Sequence, residues 1–273
     1  MHRNRRSPYG ALATALVAGW LLGGCSSGAS ITVDVDVPRP LVEPINAAVG
    51  IYYNDELRNY VHEEELVDHG KYRIDIGASH APVFAQVFDA MFETVVPMAL
   101  VPGDEAPADE PPADETPADD EAGAGDADLE ETDAATDSDA AGAPPVRFTR
   151  PDGSKPAVAG IIAPSIEEVQ FAIPRQTGGE FYEVWIRYRL DLYDTNGNRL
   201  GEYPVIGYGK ANKANFGGLG QASPALNEAT MWALRDAAAM LSFQFRDQSE
   251  SKDWLAMIAT RNAYATPPHA VGQ

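Results

Sequence analysis

The sequence predicts an α+β fold in which an antiparallel-rich mixed sheet of about five or six strands carries two main helices on one face. Three observations predict it. Residues 180–194 alternate without interruption: Tyr182, Val184, Ile186, Tyr188, Leu190 and Leu192 take one side, and Glu183, Trp185, Arg187, Arg189, Asp191 and Tyr193 the other. Thr195-Asn196-Gly197-Asn198 then supplies a hairpin turn, because Asn-Gly tolerates positive φ, and residues 200–208 return as the antiparallel neighbour. Two other segments, residues 83–95 and 223–245, instead repeat their apolar residues at helical spacing.

Taken in order, residues 26–40 read as a tether, with one alternating stretch over 31–37 able to form a short edge strand. Residues 48–53 are β-rich, and Asn54 or Asp55 can cap a short helix reaching Tyr60 and Val61. Residues 72–76 form a second strand candidate. Ser79 then precedes the helix whose stripe is Val83, Phe84, Val87, Phe88, Met91, Phe92 and Val95, and residues 96–101 return as a strand, which predicts a β-α-β unit. Residues 158–163 and 167–173 are two further strands. Ser223 caps the long Ala-rich helix, with Pro224 at its first position. A last short helix is expected around 254–258, followed by a loose tail over 263–273.

Between these halves a Pro-Ala-Asp-Glu theme repeats three times and dissolves into Ala, Gly and Asp. Residues 103–145 hold 16 acidic residues and no Lys or Arg, with almost no large apolar side chain to offset ordering entropy, so the segment 102–146 is expected to be a disordered insert. It also explains the charge. The whole chain carries a formal −21, but outside the insert and the leader's three arginines, 25 acidic residues face 17 basic ones. Neither flank has enough secondary structure to fold alone, so residues 38–262 are read as one interrupted domain. No clustered basic stripe suits nucleic acid.

The N-terminus fixes an address. Arg3, Arg5 and Arg6 precede an apolar run over residues 11–22 and then Gly23-Gly24-Cys25, which is a secretory signal over residues 1–24. The run is too short to cross a hydrocarbon core that needs about 20 helical residues. Leu22-Gly23-Gly24-Cys25 resembles the lipobox of bacterial lipoproteins. With the small α+β domain that follows, the chain resembles uncharacterised, periplasm-facing lipoproteins of Gram-negative bacteria. The resemblance implies that Cys25 carries acyl chains and becomes the first mature residue, with residues 25–37 as tether. Ser26 and Ser27, with no aspartate after Cys25, imply sorting to the outer membrane. Cys25 is the only cysteine, so once lipidated it leaves no thiol for a disulfide, a metal or a nucleophile.

Candidate chemistry is sparse. His62-Glu63-Glu64-Glu65 with Asp68 and His69 is the one cluster with metal-ligand composition, but no fixed motif matches, and a solvated loop or helix end is expected. Asp194-Thr195-Asn196-Gly197-Asn198 fails as a calcium loop, since the glycine falls at the fourth position, Arg199 takes the sixth, and Val205 stands where a bidentate Glu is required. Gly217-Gly218-Leu219-Gly220 lacks the spacing of a phosphate-binding loop. Nothing singles out a carboxylate pair, so no enzyme, metal or cofactor is expected.

Two surfaces stand out instead. Trp185, Arg187 and Arg189 share the polar side of the long strand, with Tyr208 and Lys210 beside them if the register allows, and aromatic plus arginine is the composition of interface anchors. The competing reading is that a helix covers this face. On the Ala-rich helix, Leu226, Ala229, Ala233, Ala237, Met240, Leu241 and Phe245 form an apolar arc, with Trp232 opposite. Trp232 is either a docking residue or packs under Trp254 and Leu255. The expectation is therefore a membrane-anchored, non-enzymatic envelope protein that binds a protein partner as an accessory to assembly or transport. The alternative is a small-ligand or lipid carrier, which would need a closed apolar cavity between helix and sheet.

Overall fold

The computed structural model describes residues 28–101, 145–217 and 222–265. The leader with Cys25, most of the acidic insert, Gly218 to Gly220 of the glycine loop and most of the tail lie outside the described residues. Among the described residues, no helix is long and apolar enough to cross a membrane.

The fold is α+β. Among the described residues, ten strands form three sheets: β1 (Ala29–Thr32), β2 (Ile45–Ile51), β3 (Val61–Leu66), β4 (Gly70–Asp75), β5 (Phe92–Pro97), β6 (Ala99–Leu100), β7 (Phe148–Thr149), β8 (Gly160–Ala172), β9 (Phe181–Tyr193) and β10 (Arg199–Asn212). The main sheet runs β10-β9-β8-β2-β5. Its first two ladders are antiparallel and its last two parallel. A second sheet, β1-β4-β3, and the short β6-β7 pair complete the set. The helices are α1 (Asp55–Arg58), α2 (Gly77–Met91), α3 (Pro174–Thr177), α4 (Ala222–Gln244) and α5 (Ser249–Ala265).

The core follows the alternation. Tyr182, Val184, Ile186, Tyr188, Leu190 and Leu192 are all buried on one face of β9. There α2 sets His80 and Phe84 edge-on against the Tyr188 ring, and α5 sets Trp254 against Phe92 and Phe245, its indole N–H donating to the Tyr193 carbonyl at 3.0 Å. Helix α4 lies on β10 by close backbone approach. A Cβ added at Gly209 would fall 1.9 Å from the Ala229 carbonyl oxygen, and one at Gly207 would fall 2.1 Å from that of Ala233. The small residues Ala229, Ala233 and Ala237 are the helix's half of this fit.

Several expectations are corrected. The tether is packed from Ala29 onward: Ala29, Ile31, Val33, Val35 and Val37 are all buried, and β1 pairs in parallel with β4, Ala29 level with Tyr72. Alternation that reads as an edge strand in isolation is completed by tertiary burial. The strand before α2 and the strand after it belong to different sheets, so the parallel crossover links β2 to β5 rather than β4 to β5. The strand after α2 begins at Phe92, earlier than 96–101. Residues 158–163 and 167–173 are one strand, β8. Pro164 sits within it because β2 pairs only with residues 160–162, so no ladder partner needs a Pro164 N–H on that side. The histidine segment is neither loop nor helix end but the β3–β4 hairpin, turned through Asp68 and Gly70 at positive φ. Val146, placed in the insert by the sequence, is buried and donates its N–H to the Gly197 carbonyl at 3.0 Å. Helix α5 extends well beyond 254–258, and α4 starts at Ala222, one residue ahead of the expected cap, with Pro224 inside its first turn.

Candidate functional site

The face of the main sheet opposite the helices is covered at one end only. There Met98, just ahead of β6, Leu100 of β6 and Phe148 of β7 cluster with Ile161 and Tyr193. The rest, across β8, β9 and β10, has no element over it among the described residues, and the register assembles it in rows. Tyr208 pairs with Trp185, which pairs with Gln170; Ile206 pairs with Arg187, which pairs with Glu168. The Trp185 and Tyr208 rings lie 5.2 Å apart. Ile206, half exposed, borders a shallow groove of about 180 Å³ that is also lined by Glu168, Gln170, Trp185 and Arg187. Lys210 closes the aromatic end, 4.0 Å over the Phe181 ring and 3.0 Å from Glu183.

The two arginines of β9 part company here. Arg187 is half exposed and reaches only a distant Glu168 carboxylate at 3.9 Å. Arg189 is largely covered and held between Glu167 at 3.4 Å and Asp191 at 3.3 Å, within a network that continues to Arg199 and Glu202. Arg187 is therefore the guanidinium a partner would meet, and Arg189 a brace for the sheet. An uncovered aromatic pair with an arginine at its rim has the residue composition of an interface hot spot.

Trp232 lies on the outer side of α4, half exposed, with the Arg235 guanidinium 5.4 Å over its ring. It does not pack under Trp254, whose neighbours are Phe92 and Phe245. Met240, expected in the buried arc, is partly exposed, and Phe243 is exposed. One helical turn from Trp232, Asp236 accepts the Tyr208 backbone N–H at 2.9 Å. The exposed side of α4 therefore adjoins β10, and Trp232, Met240 and Phe243 stand around the sheet edge from Ile206 and Tyr208. Ile206 was legible in the alternation of β10, since Tyr203 and Val205 point to the core and fix Ile206 outward. Phe243 had no such signal.

The other sequence candidates resolve as structure. Asp194 accepts from the N–H groups of Asn196 and Asn198 at 2.8 and 2.9 Å, with Arg261 at 3.5 Å, so its carboxylate is spent on the turn. Of the two central turn residues only Gly197 takes positive φ. His62 stands edge-on to Phe171 at 5.9 Å, and among the described residues no group of three or more His, Asp or Glu is placed to hold a metal. A larger groove of about 600 Å³ lies over the β1-β4-β3 sheet, open and lined by Glu63, Glu64, Glu65, Lys71 and Arg73. The space between helices and main sheet is filled by Phe84, Phe88, Phe92, Tyr188, Phe245 and Trp254.

One buried titratable group stands apart. His80 is fully buried, its Nδ1 2.8 Å from the Leu57 carbonyl. Burial pushes its imidazole down to about 4, against the opposing pull of that carbonyl.

No family model and no curated protein matches the chain. Two solved structures are similar. One is a protein from Xanthomonas campestris of the family DUF330, with 7% identity over 88% of this chain and 98% of its own, at a TM-score of 0.40. The other is a candidate lipoprotein from Caulobacter crescentus, with 14% identity over 37% of this chain and 68% of its own, at a TM-score of 0.26. At this distance neither likeness transfers an activity, partner or site to this chain.

Proposed function

We propose that this chain is a lipoprotein anchored through Cys25 in the outer membrane, facing the periplasm, and that it serves as a non-enzymatic accessory of an envelope assembly or transport system. It binds a protein partner through the uncovered face of β8, β9 and β10. The observation that carries the reading is the uncovered Trp185–Tyr208 pair with Ile206 and Arg187 at its rim, on a sheet whose other face is fully packed. An apolar and aromatic face without cover suits a macromolecular partner better than solvent. The filled interior supports this reading over a lipid carrier, which needs an internal cavity.

The test is a photoreactive residue at position 206 in cells, compared between the wild-type background and Trp185→Ala/Arg187→Ala. One defined crosslinked protein, lost in the double variant while the purified variant keeps its melting temperature, supports the reading. Removing a hot-spot aromatic should weaken binding about 30-fold. An unchanged crosslink in the double variant, or none in either background with lipid co-purifying, overturns it in favour of the carrier.

A further inference from the structure

Residues 28–43 form a strap along α4 rather than a leash. Gly28 lines one groove with Ser223, at the start of the helix. Arg235 donates to the Asp36 carbonyl midway at 3.0 Å, and Arg246, just past the helix end, donates to the Glu43 carbonyl. The same strap meets α2 in the same order, the Ser79 hydroxyl donating to Val33 at 2.6 Å and Arg39 to Asp89 at 3.0 Å. The molecule therefore has a long axis, and the 23 residues of α4 span about 34 Å of it.

The near end of that axis is built from the start of β1, the N-terminus of α4 and the β3–β4 hairpin. β1 and β4 are parallel, so the chain leading back from Ala29 leaves in the direction of the hairpin turn. Only Ser26, Ser27 and Gly28 separate Cys25 from Ala29, and four Cα steps reach at most about 14 Å. The turn beyond Lys71 and Glu65 projects about 10 Å past the level of Ala29. Melting the strap to gain length would expose Ala29, Ile31, Val33, Val35 and Val37.

We infer that, once anchored, the domain stands end-on at the bilayer with the turn at Val67, Asp68 and His69 in the lipid headgroup layer. This rests on the lipid anchor at Cys25 proposed above. The turn suits that place. Val67 is 85% exposed, and of the strand acids leading to the turn Glu65 is paired with Lys71 at 3.6 Å and Glu63 with Arg73, while Asp68 stands exposed on the turn itself. The far end carries the flanks of the acidic insert, since Val101 bonds Arg147, and Phe148 stands edge-on to Tyr193 at 5.1 Å. The insert is thus rooted away from the membrane, and the open sheet face runs along the upright axis between the two ends.

The experiment uses the full lipidated protein in phosphatidylcholine vesicles carrying a headgroup nitroxide. An environment-sensitive fluorophore is placed at Val67→Cys or, at the far end, at Leu200→Cys, both exposed positions, and mass spectrometry reads the acyl chains. Quenching at 67 at least about threefold stronger than at 200, and lost when a ten-residue Gly-Ser spacer follows Ser27, is the expected result. Acyl chains present with position 67 unquenched overturns the orientation alone. Quenching that survives the spacer overturns the short leash as its cause. Absent acyl chains removes the anchor and the orientation with it.

Discussion

His80 shows what a single residue costs when a polar group is buried for packing. Its ring fills the space between Tyr60 and Tyr188, and its Nδ1 binds the Leu57 carbonyl. The folded imidazole titrates near 4 and the unfolded one near 6.5. Its contribution is therefore complete above about pH 6.5 and lost as pH falls toward 4, by about 3 kcal/mol at 1.36 kcal/mol per unit. His80→Phe should flatten the acid limb of a stability-against-pH curve relative to the wild type, measured by urea denaturation between pH 7 and 4. An identical slope in both proteins would refute the assignment.

At the scale of elements, the pairing of α4 with β10 is decided by residues without side chains. Gly207 and Gly209 face Ala233 and Ala229 so closely that a methyl group meets backbone on the helix, which cannot give way. Gly209→Ala should destabilise the domain by about 3 kcal/mol through overpacking, or push α4 off the sheet. Calorimetry measures the loss, and Gly179→Ala, with nothing closer than 3.7 Å, serves as the control with little change. The same approach brings Asp236 to the edge of β10, where it occupies the Tyr208 N–H, while Pro204 has none to offer, so this terminal strand is partly blunted against added strands.

For the whole molecule, the insert should be removable without loss of the fold. Val101 donates to Arg147 at 3.0 Å, so residues flanking the insert already lie together. Replacing residues 102–144 with a four-residue Gly-Ser loop should leave the fold intact and stabilise it by about 2 kcal/mol through reduced loop-closure entropy. That corresponds to a rise of roughly 4–8 °C in melting temperature for a domain this size. A fall in melting temperature would show instead that the insert contributes contacts to the domain.

How much could be read beforehand differed by element. The faces of β9, the Asn54 cap (2.7 Å to the Leu57 N–H) and the stripe of α2 were legible because each depends on residues within a turn or a strand of one another. The Trp185–Tyr208 pair was legible for the same reason, since a tight hairpin fixes register locally. Three things were not. Residues 29–37 alternate as well in a free segment as in a buried one, and only β4, α2 and α4 together decide that they are core. The strands on either side of α2 went to different sheets because pairing is chosen by partners far along the chain. Trp232 has equal helical credentials for burial and exposure, and the position of Trp254, set by Phe92 and Phe245, left it outside. Local chemistry by itself determined the elements, their inner faces and the acidic break between them; which elements share a sheet, which face stays open and how short the chain is before it meets the core were decided by tertiary packing, because burial rewards contacts that sequence neighbours do not make.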